Sequence, residues 1–122
     1  MATTASSLEL RIEKSDDANQ PYILRAYDTG QTPERKIAYS ETYKGKASAQ
    51  NAADLIVAGQ YHYTTFEGTD KRWYWRLTGL NNEKVVRSAT HCMSKDDAGW
   101  RESWLKQNRA GATIVDCTTP VA

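Results

Sequence analysis

Apolar and polar residues alternate in several short runs along the chain. The run YILRA at 22–26 and the run WYWRL at 73–77 each place apolar side chains at every second position. A period of two predicts strands, and further alternating runs at 8–12 and 61–66 precede them. The segments DTGQTPER and TGLNNEK are rich in residues that favour turns, so each strand is expected to continue as a hairpin into KIAYSE or KVVRSA. Three strands are therefore predicted at the start of each half of the chain.

A helix is predicted after each group of strands, over about 48–58 and about 96–108. Asp96 or Asp97 is expected to cap the second helix, because a carboxylate there accepts from free N–H groups and favours the positive end of the helix dipole. Glycine commonly follows the last turn of a helix. Gly59 and Gly111 follow the two predicted helices, and we expect the helices to end there.

The second helix carries an apolar stripe. Trp100 and Trp104 are four residues apart and Leu105 lies beside them, so the three are expected to face the sheet. The β-branched run ATIVDCT at 112–118 follows and predicts a closing strand.

The two halves share a plan. Ser40 and Ser88 are preceded by similar residues and followed by an aromatic or imidazole group, a lysine and a small residue that opens a helix. The distance from serine to serine, 88 minus 40, is 48 residues, which is typical of a duplicated supersecondary unit. Repeat one is expected at about 8–59 and repeat two at about 60–118. The matching pairs are Lys36 with Lys84, Ile37 with Val85, Tyr43 with His91, Lys46 with Lys95 and Ala49 with Ala98.

This order of elements resembles the YegP-like family of small prokaryotic proteins. The resemblance rests on RWYWRLTGLNNEKVVRSA, on AYSETYKGKASAQNAADLI and on ATIVDCT, and it covers the chain from about Leu8 to Thr118. It implies an α+β fold in which two tandem β-β-β-α-β repeats form a single antiparallel sheet with both helices on one face. Whether the units exchange their final strands stays open. The family is largely uncharacterised, so the resemblance implies no catalytic residues.

The chain departs from the family pattern in three places. The first hairpin loop carries extra residues around 32–35, and His91 and Cys92 stand where a tyrosine and a small residue are usual. Trp100 and Trp104 are larger than the residues usual on that helix. These departures leave the implied fold intact and separate the chain further from any function of its relatives.

Length and charge favour one small domain. The chain has 122 residues and a net charge of +1, so it suits a single domain 1–122 and has no general attraction for polyanions or anionic membranes. It has no apolar run of the roughly 20 residues that span a bilayer, and its start lacks the features of a secretory signal. We therefore expect a cytoplasmic protein whose ends, 1–7 and 119–122, are flexible.

The histidines and cysteines give little support for chemistry. Cys92 and Cys117 lack metal-type spacing, which argues against zinc and favours reduced thiols in this compartment. His91 and Cys92 are neighbours on an extended segment, so their side chains point to opposite faces and cannot form a nucleophile and its base. We expect no catalytic residues, no cofactor and no metal.

The aromatic-rich strand has two faces that need different explanations. Trp73, Trp75 and Leu77 point one way and suit a core beneath the second helix. Arg72, Tyr74 and Arg76 point the other way, either as the plain exposed side of a one-layer sheet or as a ligand surface. The candidate residues for a ligand or partner surface on that open face are Arg25, Tyr39, Arg72, Tyr74, Arg76 and Arg87.

Three functional classes remain from the sequence. The first is a non-enzymatic binding or interaction module that uses the open face of the sheet. The second is a protein that binds single-stranded nucleic acid or a small anionic ligand, for which a local patch of arginine and tyrosine suffices. The third is a scaffold that binds an unknown protein partner or a second copy of itself through an exposed sheet edge. Fold alone does not decide among them.

Overall fold

The structure is a computed structural model, and it describes residues 6–30, 32–81, 83–92 and 94–118. These residues form an α+β fold with one sheet of seven strands and two helices. In chain order the elements are β1 (Leu8–Lys14), β2 (Tyr22–Asp28), β3 (Arg35–Tyr43), α1 (Lys46–Ala58), β4 (Tyr61–Glu67), β5 (Trp73–Gly79), β6 (Lys84–Ser88), α2 (Lys95–Arg109) and β7 (Thr113–Asp116).

The sheet is mixed, so the prediction of a purely antiparallel sheet is wrong. Its strand order is β4-β5-β6-β3-β2-β1-β7, and every neighbouring pair is antiparallel except β1 with β7. The last strand pairs with the first strand of the chain in parallel, with Leu10 opposite Ile114. Three antiparallel pairings separate β6 from β1, so β1 runs opposite to β6. The chain reverses again through α2, so β7 also runs opposite to β6 and is therefore parallel to β1.

Two complete β-β-β-α-β units would supply an eighth strand, which the described residues do not contain. Instead β4 follows α1 directly and is also the first strand of the second group, where it pairs with β5 over seven residues. The two groups meet where β3 pairs with β6, with Tyr39 opposite Arg87. The tandem-repeat boundaries and the placement of both helices on one face stay predictions.

One hydrogen bond recurs in both groups of strands. The Leu24 N–H donates to the Ser40 hydroxyl at 2.9 Å, and the Trp75 N–H donates to the Ser88 hydroxyl at 3.2 Å. Both serines are buried, at 3% and 2% exposure. Leu24 lies at an irregularity of the β2–β3 ladder, and Trp75 lies just beyond the last β5–β6 pair, so each serine supplies an acceptor that its strand N–H would otherwise lack. This is the local role of the residue that marks the 48-residue period.

The helices begin and end close to the predicted residues. Gly59 ends α1 with φ at 72°, a left-handed conformation that glycine adopts without steric cost. The cap of α2 is Ser94, whose hydroxyl accepts from the Asp97 N–H at 3.1 Å, so the prediction of an aspartate cap is wrong. Asp96 and Asp97 lie in the first turn instead, where their charge favours the helix dipole.

Trp100 does not face the sheet, which contradicts the predicted stripe. It is 60% exposed, whereas Ala98 and Leu105 are the buried residues of α2, and Trp104 is half-buried against the core. The space beneath the helix is filled from the sheet side by Trp75, stacked on Tyr63 at 5.3 Å between ring centroids. Ala98 is buried in the core, and Trp100, two residues later, lies about 200° further round the helix and therefore points outward.

The two helices also contact each other and the chain start. The Arg109 guanidinium on α2 donates to the Val57 carbonyl on α1 at 3.0 Å. Ser6 donates to the Asn108 carbonyl at 2.6 Å, and the Ser7 N–H donates to the Asn108 side chain at 2.9 Å. The rest of the ends predicted to be flexible, 1–5 and 119–122, lies outside the described residues. Neither helix has the length and apolar character needed to cross a membrane.

Candidate functional site

Strand β5 separates apolar from charged side chains as its alternation predicts. Trp75 and Leu77 are buried, and Trp73 is half-buried against the same core. Arg76 is exposed and Tyr74 is partly exposed. We call the sheet face that carries Arg76 the arginine face. The prediction that the tryptophans of this strand belong to the core and that Arg76 lies on the opposite face is confirmed.

Strand register brings four of the six candidate residues into one line across the arginine face. Residues directly opposite each other on neighbouring strands share a face and lie about 5 Å apart at Cβ. Successive pairings join a residue of β1 to one of β4 through every strand between them. This arginine row consists, in strand order, of Arg11, Arg25, Tyr39, Arg87, Arg76 and Thr64.

The β1 and β2 end of the arginine row is neutralised by glutamates. Arg11 makes a bidentate contact with Glu34 at 2.6 and 2.7 Å and a further contact with Glu9 at 3.1 Å. Arg25 lies 3.3 Å from Glu13, whose carboxylate also accepts from the Tyr27 hydroxyl. The hydrogen bonds that Arg11 donates to the carboxylates of Glu34 and Glu9 raise the pKa of Arg11 further above its ordinary value. This end of the row is a closed network of paired charges.

The β5 and β6 end of the arginine row has aromatic neighbours in place of carboxylates. The Arg76 guanidinium carbon lies 5.1 Å from the Phe66 ring centroid, and that of Arg87 lies 5.5 Å from the Tyr39 ring centroid. Both arginines are exposed and directly opposite each other. Within the described part of the chain neither has a carboxylate at ion-pair distance. Two like charges that face each other across a ladder repel, so this end carries uncompensated positive charge.

A cleft of about 470 Å³ lies over this end of the row. Arg76, Arg87 and Lys84 supply three positive charges to its walls, and Glu41 supplies one negative charge. Phe66 and Tyr39 supply ring surface. Guanidinium groups over aromatic rings keep their hydrogen-bond donors free for an outside acceptor, because a ring accepts charge without consuming N–H groups. The cleft therefore suits a ligand with an anionic group and a flat or apolar part.

The remaining two candidates, Arg72 and Tyr74, lie away from the row. Arg72 precedes β5, is exposed, and its guanidinium lies 3.4 Å from Nδ1 of His91. Tyr74 stacks on Phe66 at 5.8 Å and donates its hydroxyl to Asp70 at 2.5 Å. That hydrogen bond raises the pKa of Tyr74. Tyr74 therefore supports the Phe66 ring, while Arg72 belongs to a different part of the surface.

Sequence reasoning missed three residues that matter at this site. Phe66 and Lys84 line the cleft, and Thr64 ends the arginine row. The alternation of β4 held a signal for Phe66 and Thr64, since antiparallel pairing with β5 places them opposite Tyr74 and Arg76. No local signal pairs Arg11 with Glu34 or Arg25 with Glu13, because the partners lie 23 and 12 residues apart in the chain.

The histidines and cysteines do not assemble into a reactive group. Cys92 is buried, and burial raises the pKa of its thiol, which lowers the fraction of thiolate. Burial raises the pKa of Cys117 too. His91 and His62 are both exposed, and His62 lies on β4. The described residues contain no cluster of three or more side chains suited to hold a metal ion.

A second, smaller cleft of about 160 Å³ lies beside α2. Trp75, Trp100 and Trp104 contribute to its walls together with Asp28 and Arg101. The Nε atom of Arg101 is buried without a hydrogen bond, 3.7 Å from Asp97. This cleft has about a third of the volume of the cleft over the arginine row, so it offers an outside ligand less room.

Comparison with solved structures identifies the fold. The solution structure of YegP from E. coli, a protein of unknown function, superimposes with a TM-score of 0.74 at 17% identity, over 98% of this chain and 100% of that one. The chain has the YegP-like fold. A UPF0339 protein from Shewanella oneidensis matches with a TM-score of 0.66 at 21% identity, over 90% of this chain and 91% of that one. No protein-family model matches the chain, and no curated protein matches it either.

The expected resemblance to the YegP-like family is thus confirmed at the level of fold. At identities of 17% and 21% the three proteins share an architecture, but their surface side chains can differ. The YegP-like fold therefore brings no ligand or activity with it, and the function has to be argued from the arginine face of this chain.

Proposed function

We propose that the protein is a non-enzymatic binding module whose arginine face holds an anionic ligand. The observation that carries the proposal is the cross-strand pair Arg76 and Arg87, which lacks a carboxylate within the described residues, while Arg11 and Arg25 in the same row have glutamate partners. Two like charges that face each other lower the stability of the free protein. A bound anion would remove this repulsion, and the free energy gained would contribute to the affinity.

The proposal needs an arginine face that is open to ligands. It is supported by the single core cluster, in which Leu10 and Leu24 of the sheet pack with Ile56 of α1 and Leu105 of α2. Helices that share one core with the opposite face of the sheet leave the arginine face uncovered. Both helices on one face, as the resemblance implies, is therefore part of the proposal.

A binding role without catalysis is the simplest function for this surface. The aromatic rings beside the arginines offer stacking area, and the arginines offer donors to phosphate or carboxylate oxygens. A nucleophile with a raised pKa, such as Cys92, is poorly suited to covalent chemistry at neutral pH. We place the module in the cytoplasm, as the sequence predicts.

The test is an NMR titration of the amide signals with two anionic probes, inorganic pyrophosphate and an oligodeoxythymidine of twelve nucleotides, at low and high salt. Signals of β3, β5 and β6 are expected to shift. Arg76→Gln should weaken oligonucleotide binding and reduce its salt slope by about 0.7, the value for one lost phosphate contact on a single strand. Arg25→Gln is the matched control, because that arginine is already paired with Glu13.

Two results would contradict the proposal. One is an absence of shifts with both probes at low salt. The other is an equal loss of binding in Arg25→Gln and Arg76→Gln, since a general effect of net charge would then explain the affinity. The wild-type protein and both variants should all stay folded at the temperature of the titration, which makes the comparison one of binding alone.

A further inference from the structure

The outer edge of β4 lacks the usual protection of an edge strand. β4 is the first strand in the sheet order and pairs only with β5 among the described residues. Its seven residues, YHYTTFE, contain no lysine and no proline, and its pairing with β5 has no bulge. Natural sheets commonly protect a long edge with charged residues, prolines or bulges, because free N–H and C=O groups recruit further strands.

The opposite edge of the sheet shows that a further strand can pair with the outer strand of a three-stranded group. β1 is the outer strand of the group β1, β2 and β3, just as β4 is the outer strand of the group β4, β5 and β6. The outer side of β1 pairs with β7. The sheet then ends in a strand of four residues, whose Asp116 pairs with Lys46 at 2.9 Å. The corresponding position outside β4 has no strand within the described residues. An extended segment supplied from outside would complete it.

The backbone groups that would bind such a segment follow from the hairpin geometry. The Gly68 N–H donates to the Arg72 carbonyl at 2.8 Å, which fixes these two as a hydrogen-bonded pair. Antiparallel pairs alternate between hydrogen-bonded and non-hydrogen-bonded kinds. Counting back along β4, the N–H groups of Tyr63 and Thr65 therefore point away from β5, toward the free edge.

The arginine row determines which side chains the added segment should carry. Its residue beside Thr64 would continue the row, at roughly 10 Å from the Cα of Arg76, two strand spacings away. Thr64 is short enough to let an arginine and a glutamate meet over it. A contact of this reach exists inside the protein, where Arg11 on β1 meets Glu34, the residue before β3, although β2 lies between β1 and β3.

The other side chains of the segment would meet a different surface. Successive residues of a strand point to opposite faces, so alternate positions would lie beside Tyr63 and Thr65, which are half-buried on the core face. Those positions favour apolar side chains. The complementary sequence therefore alternates acidic and apolar residues.

We propose that the free edge of β4 binds an extended acidic segment of a partner protein, which adds a strand to the sheet and brings carboxylates to Arg76. The proposal rests on the proposed function, because it uses the same uncompensated arginines, and it names the source of the anion. Main-chain hydrogen bonds to the edge supply affinity, and the alternate side chains supply specificity.

The probe is an acetylated and amidated octapeptide of alternating Glu and Val, with a fluorescent label for anisotropy. Its matched control is the same peptide with Gln in place of Glu. The acidic peptide should bind at least 10-fold more tightly, and the difference should vanish in Arg76→Gln. A third peptide, the acidic one with alternate backbone nitrogens methylated, should bind at least 10-fold more weakly, because it cannot pair with a strand edge.

A protein variant separates the edge from the arginines. Thr65→Pro removes an outward N–H and should abolish peptide binding while oligonucleotide binding through Arg76 is unchanged. If this variant fails to fold, the methylated peptide makes the same distinction on the wild-type protein.

Five outcomes would overturn the inference. Equal binding of the Glu and Gln peptides, or of the methylated and unmethylated ones, would do so. If the oligonucleotide binds and the peptide does not, the inference is wrong and the proposed function stands. If neither the oligonucleotide nor the peptide binds, both the inference and the proposed function are contradicted. A dimer mass without peptide, lost in Thr65→Pro, would assign the edge to a second copy of the chain instead.

Discussion

The arginines at the two ends of the arginine row have different neighbours. At the β1 and β2 end, Arg11 and Arg25 have glutamates within 2.6 to 3.3 Å. At the β5 and β6 end, Arg76 and Arg87 have rings at 5.1 and 5.5 Å and face each other. The first arrangement satisfies the charge within the protein, and the second leaves donors for a ligand. The difference teaches that equal residue types on one surface can serve stability at one end and binding at the other.

The two edges of the sheet also differ in whether their backbone groups are paired. At the β1 end a short β7 covers the first strand, and at the other end β4 is long and uncovered within the described residues. Free charge and free backbone groups thus occur together, on the β4, β5 and β6 side of the molecule. We expect this side to carry binding and the other side to be internally satisfied.

The largest expected effect concerns the core, where both halves should behave alike. Trp75→Ala should lower the free energy of unfolding by about 3 to 5 kcal/mol and Leu24→Ala by about 2 to 5 kcal/mol, because each residue is buried at an equivalent point of its strand group. Trp104, which is half-buried, should cost less than Trp75. Urea denaturation monitored by circular dichroism measures these changes.

Trp100→Ala is the control for the core variants. Its side chain is 60% exposed, so the loss should stay within about 0.5 kcal/mol. A large loss for Trp100 with a small one for Trp75 would show that the helix faces are assigned in reverse.

The next effect tests whether the recurring serine hydrogen bond has equal weight in both halves. Ser40→Ala and Ser88→Ala should each lower stability by about 1 to 3 kcal/mol, because each leaves a buried strand N–H without an acceptor. The double variant should show the sum of the two losses. If only one substitution is costly, the two halves are less alike than their hydrogen bonds indicate.

High pH should weaken both halves through their tyrosines. Burial, with a hydrogen bond to Glu13, raises the pKa of Tyr27 to about 12 from an ordinary value of 10, and burial raises the pKa of Tyr63. The folded protein thus prefers the neutral phenols, while the unfolded chain ionises first. The stabilisation is complete below pH 10 and is lost as the pH rises towards 12. Melting temperatures between pH 8 and 12 should fall more steeply than those of Tyr27→Phe.

The smallest effect distinguishes the two ends of the arginine row in the free protein. Arg25→Gln should lower stability by up to about 1 kcal/mol through the lost pair with Glu13. Arg76→Gln should be neutral or stabilising by a few tenths of a kcal/mol, because it relieves repulsion from Arg87. Chemical denaturation at low salt is the measurement. A loss of equal size for both arginines would remove the contrast on which the binding proposal depends.

The period of two predicted which side chains of a strand share a face, and this held for Trp75 and Arg76. Such a prediction needs only the local chain, because alternation is a property of the extended backbone. Candidate residues Arg25, Tyr39, Arg76 and Arg87 were found in this way. Arg72 was included by the same alternation, yet it precedes β5 and lies beside His91 instead of in the row.

The sequence by itself determined the strands, the helices, their approximate ends and the division of each strand into two faces, since these depend on residues close together in the chain. Only the tertiary structure decided the parallel pairing of β7 with β1, the outward turn of Trp100 and the pairing of β3 with β6 that aligns the arginine row. It also decided which arginines meet glutamates. Register between distant strands and the space left beneath a helix result from the packing of the whole sheet, and no local pattern encodes them.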